Sequence, residues 1–235
     1  MQVIYSEQVD QAALPTGATA NTFLMCVEVG SVREEAARLI EHLTNTSWIN
    51  SLRPVAIATY RATVFRSVNR LVQIFREGVK TNSVSERFGE FLVSSCASDG
   101  LGNEFNHEVF PLAELWKEKI LGNHGFDFHT ESTAEVICFG EAKYDCHNHA
   151  YGNAAEQVLD FIDDEKDLGD AQHLENFATE QAIAKLLEER ARSFCIAFFL
   201  HSPNHCRILS NTLASGFVQK LACECEELYI VGVRA

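Results

Sequence analysis

The stretch FDFHTESTAEVICFGEAK, Phe126–Lys143, is the one on which the architecture turns. It alternates at its start, breaks at the polar residues 131–133, and then runs on through a longer apolar segment that ends in Gly-Glu-Ala-Lys. That is the pattern of a β-hairpin. Side chains alternate along a strand with a period of two, so Glu141 and Lys143 project from the same face of the second strand. Asp127 stands at the start of the first strand, and the hairpin returns the chain so that its carboxylate approaches Glu141.

Two carboxylates placed in this way make a hard-oxygen site for Mg²⁺ or Mn²⁺. The Ala142 carbonyl is a further ligand, and water with a phosphate completes the shell. Such a metal delivers hydroxide and neutralises charge developing on a phosphodiester, while the Lys143 ammonium orients the nucleophile or stabilises the pentavalent state. An E-x-K triplet alone is compatible with an ordinary surface salt bridge. The apolar strand before it and Gly125-Phe-Asp127-Phe upstream supply the context that the chemistry needs. Glu141 and Lys143 are both expected at an exposed strand end.

Working outward, TFLMCVEVG (22–30) reads as a strand. Ser31 and Glu34 form a capping box for a helix carrying Ala36, Leu39, Ile40 and Leu43 on one face. A second helix is expected over 62–77, closed by Gly78. Val64, Val68, Leu71, Val72 and Phe75 lie on one side of it, and Arg66 and Arg70 project together from another. Ser83 and Glu86 form the next capping box, for a helix over 84–97, followed by a loop at 99–107 and a short helix at 112–121. Beyond the hairpin come a helix at 151–163, a solvated linker at 163–170 (DDEKDLGD) and a charged helix at 176–192. A buried strand at 194–201, a helix at 207–222 and a strand at 227–233 complete the chain. The alternation gives an α/β class, with a mostly helical N-terminal portion over 1–80 and a core over 81–235.

Three segments carry a resemblance: SERFGEFLVSS (85–95), GFDFHT (125–130) and FGEAKYDCHNHAYGNAAEQVLDFI (139–162). In order and spacing they resemble the HamA-like nuclease subunits of the Hachiman antiphage defence system, PD-(D/E)xK nucleases that operate with a helicase partner. The resemblance covers about 83–163; residues 1–80 match only loosely. It implies a restriction-endonuclease-like core with a mixed sheet flanked by helices, a Mg²⁺ or Mn²⁺ cofactor, and DNA as substrate. It also implies Asp127, Glu141 and Lys143 as catalytic residues. Glu90 would be the acid that the first helix of this fold often contributes, although a helical wheel places it off the apolar stripe of Val84, Phe88, Phe91 and Leu92. Gln157 resembles the polar residue used beside the metal. A stand-alone repair or restriction nuclease and a nuclease-fold scaffold that only docks a helicase remain open as alternatives.

At 235 residues the chain is long enough for one large domain to bury a core without staples. FCIAFFL at 194–200 is too short to cross a bilayer, and MQVIYSEQVDQ lacks the basic start and apolar centre of a signal peptide. A cytoplasmic location and no membrane association are therefore expected, with the eight cysteines as reduced thiols. Cys146, His147 and His149, then His201, His205 and Cys206, and finally Cys223 and Cys225 are poorly spaced for zinc. The formal charge is −14 but unevenly distributed. Residues 51–80 hold six basic side chains against one acidic, a net +5, and 156–192 hold eleven acidic against four basic, a net −7. Nucleic-acid affinity rests on Lys and Arg. Arg66 and Arg70 are thus candidate contacts, with His129, which shares a strand face with Asp127, and a partner is expected to supply the remaining affinity.

Overall fold

The computed structural model describes residues 1–81, 85–117, 125–144 and 150–235. The chain opens with strand β1 (Gln2–Gln8), which pairs antiparallel with β2 (Asn21–Glu28). The β1 strand is polar and largely exposed, which hides its period from the sequence; its partner across the sheet edge defines it. Ser31 then caps α1 (Val32–Thr44), its hydroxyl accepting from the Glu34 N–H at 3.3 Å as the capping pattern predicts.

The next helix is longer than its apolar period predicts. Helix α2 (Pro54–Thr81) starts on a proline, whose missing N–H costs nothing at a first helical position, and it passes through Gly78 rather than stopping there. Helix α3 (Glu86–Phe105) is capped by Ser85, whose hydroxyl accepts from the Phe88 N–H at 3.3 Å. Ser83 lies outside the described residues. Residues 99–105, expected as loop, continue this helix. Gly100 lies so close to Met25 and Val27 of β2 that a side chain there would be crowded, so tertiary packing overrides the local turn signal. Asn106, in the left-handed region at φ 57°, ends the helix.

Strand β3 (Glu108–Val109), a single helical turn α4 (Ala113–Trp116), β4 (Phe128–Glu131) and β5 (Ile137–Lys143) follow. The hairpin is present, with its turn at 133–135. The predicted helix at 112–121 is described only as far as Lys117. Helix α5 (Ala150–Asp163) and α6 (Lys166–Leu174) come next. The solvated linker expected at 163–170 is thus largely helix. Asp167 is buried and pairs with Arg192 at 2.5 Å, and Asp170 turns inward to Lys117; acids that look solvated in sequence are ion-pair partners.

The charged helix predicted over 176–192 is α7 (Glu180–Ala184) followed by one π-helical turn at 185–189. After β6 (Ser193–Phe199), the single helix expected at 207–222 is split into α8 (His205–Leu213) and α9 (Gly216–Leu221), and β7 (Glu227–Arg234) ends the chain.

All seven strands make one mixed sheet in the order β1-β2-β7-β6-β5-β4-β3. Strands β2, β7, β6 and β5 run parallel, while β5, β4 and β3 form an antiparallel meander. The N-terminal portion and the rest share this sheet, because β2 pairs along its whole length with β7. Helix α3 covers the face carrying Gly140 and Tyr144, with Gly89 under the Tyr144 ring. Helix α5 covers the other, where Phe161 packs on Phe126 and Tyr151 on Phe198. Buried on both faces, β6 reads as the continuous apolar run that a central parallel strand requires. Cys26, Cys96, Cys138, Cys195 and Cys225 are buried free thiols, and Cys206 and Cys223 exposed ones.

The pair between Asp167 and Arg192 gives a direct test of the buried α6. Asp167→Ala leaves a guanidinium 10% exposed with its main acceptor gone. Stability falls by about 3 kcal/mol, read from urea melts, because a buried charge has lost its partner. A solvated linker at this position predicts no change.

Candidate active site

The end of β5 and the start of β4, neighbours inside the sheet, meet at one end of the strands. The Asp127 N–H donates to the Gly140 carbonyl at 2.8 Å, and its Oδ2 accepts from the Ala142 N–H at 3.0 Å. The Asp127 side chain therefore clamps the last residues of β5 beyond the end of the β4 ladder. The Gly140 carbonyl points toward β4, and residues two apart on a strand point alike, so the Ala142 carbonyl turns to the same edge. Gly140 is required here, because the Phe128 ring lies where a side chain would stand.

Glu141 is 1% exposed, which corrects the expectation of an exposed strand end. The β5 strand is covered by helices up to its last residue. The Lys143 Nζ donates to Glu141 Oε1 at 2.7 Å, and Glu141 Oε2 is buried with no hydrogen-bond partner among the described residues. Burial pushes the Glu141 carboxyl well above the ordinary carboxylate range; Asp127 and Glu90 push the same way, and Lys143 opposes them. Burial acts to lower the Lys143 ammonium, but Glu141, Asp127 and Glu90 outweigh it and hold the lysine charged.

Glu90, on the first turns of α3 and half-buried, thus stands within electrostatic reach of both Glu141 and Lys143. The wheel that placed it off the apolar stripe is compatible with this position, since the polar flank of α3 meets the strand end. Asp127, Glu141, Lys143 and Glu90 come together from three elements. Gln157, half-buried on α5, lines an open cleft of about 430 Å³ with Asn153, Glu156, Asp160 and Lys166.

Arg66 and Arg70 lie exposed on α2. His129 does not reach solvent. It is fully buried against Trp116 and Phe139, and its Nε2 donates to Asp170 at 3.0 Å. Burial, then Lys117, push its pKa down to about 4 against the pull of Asp170, so the imidazole is neutral. The expected substrate contact gives way to an internal one, because α6 covers that face of the strand.

Lys117 and Asp170 have no signal in the sequence. Lys117 Nζ donates both to Asp170 Oδ2 at 2.5 Å and to the Phe126 carbonyl at 3.2 Å, bracing the peptide that precedes Asp127. They come from segments far apart in the chain, so no spacing could show them together.

Among the described residues, no group of three or more His, Cys, Asp or Glu side chains can hold a metal ion unaided. That includes His201, His205 and Cys206, and the pair Cys223 and Cys225; Cys146, His147 and His149 lie outside the described residues. Fold and site define an α/β protein with helices on both faces of a mixed sheet and a buried acid–lysine cluster at the end of an interior strand. Compared with protein-family models, curated proteins and solved structures, the chain matches none of them.

Proposed function

We propose that the chain is a metal-dependent deoxyribonuclease of the PD-(D/E)xK type, with a restriction-endonuclease-like core, acting as the effector of a bacterial antiphage defence complex with a helicase partner. The observation that supports it best is Glu141: a buried carboxylate with one oxygen unpartnered among the described residues, beside the carboxylates of Asp127 and Glu90 and the ammonium of Lys143. Such a cluster has excess negative charge and an open acceptor, which suits a hard divalent cation. Asp127, Glu141 and the Ala142 carbonyl would hold Mg²⁺ or Mn²⁺, with waters and substrate oxygens filling the shell. When bound, the metal supplies charge neutralisation and an activated water at the phosphodiester.

The chain's own groups do the rest. Asp127 stays aimed at the site through its bond to the Ala142 N–H. The Lys143 ammonium, held charged by its carboxylates, donates to a phosphate oxygen as negative charge grows there. The order α3, the β3-β4-β5 meander, α5 and the parallel β6 supplies the frame that the motif needs. A scaffold that only docks a partner has no use for an unpartnered buried carboxylate, which costs stability. No helix among the described residues is long and apolar enough to cross a membrane.

A titration tests the metal. Binding requires the Glu141 carboxylate, whose raised pKa favours the protonated form, so Mn²⁺ affinity rises as pH rises through that value and protons are released on binding. The folded-state pKa lies above the unfolded one, so without metal this group's stabilising contribution is complete at low pH and is lost as pH rises. Calorimetry in buffers of different ionisation heats reads both effects. Chelation abolishes cleavage, and Ca²⁺ binds with little turnover; activity persisting in EDTA would remove the metal from the mechanism.

A further inference from the structure

The exposed side of α2 carries a feature that the cleavage site does not use. Phe65 is 59% exposed, on a helix whose inward residues Val64, Val68, Leu71 and Phe75 are buried. At 100° per residue, Arg61, Phe65, Arg66, Asn69, Arg70, Arg76 and Glu77 fall within about half the helix circumference, all exposed, so the arc carries four arginines against one acid. Among the described residues, neither Arg66 nor Arg70 has a carboxylate partner, although the chain as a whole carries −14. Phe65 and Arg61 also wall a cleft of about 210 Å³ with Thr46, Ser47, Ile49 and Asn50, in which Arg61 Nη2 donates to Asn50 Oδ1 at 2.8 Å.

We infer that this face binds single-stranded DNA, with an unpaired base stacked on Phe65 beside the cleft and the phosphates running along Arg66 and Arg70. Its place as the substrate strand of the nuclease rests on the function proposed above. A basic track with an interleaved aromatic ring is the chemistry by which proteins hold single strands. An acidic protein partner would satisfy the arginines but leaves the ring without a role. Duplex DNA has its bases paired and stacked inside and offers none to Phe65. Arg66 and Arg70 are about 6 Å apart along the helix axis, close enough to meet neighbouring phosphates of one strand.

The test is fluorescence anisotropy with the full chain, labelled oligothymidylate and EDTA, which prevents cutting. Phe65→Ala weakens binding about tenfold and Phe65→Trp restores it, while duplex affinity is unchanged by either. Arg66→Gln with Arg70→Gln weakens both ligands and lowers the magnitude of the salt slope for the single strand by about 1.4, two phosphates at about 0.7 each. All these side chains are exposed, so the variants fold, and circular dichroism checks it. Equal single-strand affinity in wild type and Phe65→Ala overturns the inference, as does tighter binding of the same sequence as RNA. So does displacement of the oligonucleotide by polyglutamate, which assigns the face to an acidic protein. Cleavage separates the two readings: Phe65-dependent binding by a chain that never cuts with Mg²⁺ sinks the nuclease and leaves the strand site standing, whereas cutting with no role for Phe65 does the reverse.

Discussion

Glu141→Gln and Lys143→Ala each slow metal-dependent cleavage by about 10²–10³-fold, the loss seen when one preorganised charge-stabilising group is removed from an active site. Their effects on stability differ. Glu141→Gln keeps the side-chain shape and removes a carboxylate that is 1% exposed and has one oxygen unpartnered. The remaining Lys143, 22% exposed at its side chain, turns its ammonium to water, so the protein is as stable as wild type or more so. Lys143→Ala leaves Glu141 buried without its cation. At low pH the carboxyl is protonated and needs no partner; as pH rises through its raised folded-state value the loss grows to about 3 kcal/mol. Single-turnover cleavage and urea melts over a pH series read both quantities. Near-wild-type cutting by both variants would refute the site, and a Glu141→Gln loss as large as that of Lys143→Ala would refute the burial argument.

On the proposed function, the isolated chain is expected to bind DNA weakly at physiological salt, and its complex with the proposed helicase partner to bind about 10²–10⁴-fold more tightly, the gain expected when a tethered module raises effective concentration. The reasoning is electrostatic. Residues 156–192 carry −7 and follow the active-site strand, and the +5 of residues 51–80 offsets this only in part. The fold reduces the mismatch without removing it. Asp167 and Asp170 are neutralised internally by Arg192 and Lys117, so the exposed acidity of this segment is that of Glu156, Asp160, Asp163, Asp164, Glu165, Glu175, Glu180, Glu188 and Glu189. Filter binding and cleavage by the free chain and by the complex make the comparison. Tight binding and rapid cutting by the free chain would favour a nuclease that works alone.

The hairpin of Phe126–Lys143 was legible because two local rules suffice for it: a period of two places Glu141 and Lys143 on one face, and a short polar break returns the chain to bring Asp127 alongside. The same holds for the Ser31 cap and for the apolar run of β6. Long-range packing settled what those rules could not reach. Residues 99–105 stay helical because Gly100 lets α3 close on β2, a contact with no trace in the local turn signal. The acids of 163–170 read as solvated linker because composition reports charge and not the partner; Arg192 and Lys117, distant in the chain, turn Asp167 and Asp170 inward. His129 has the strand parity of a site residue, yet α6 lies over it and makes it structural. Glu90 joins the cluster because the first turns of α3 meet the end of β5, a meeting of elements that no periodicity encodes. Spacing along a chain fixes direction on a strand or helix, whereas burial and the identity of a charge's partner depend on which elements pack together.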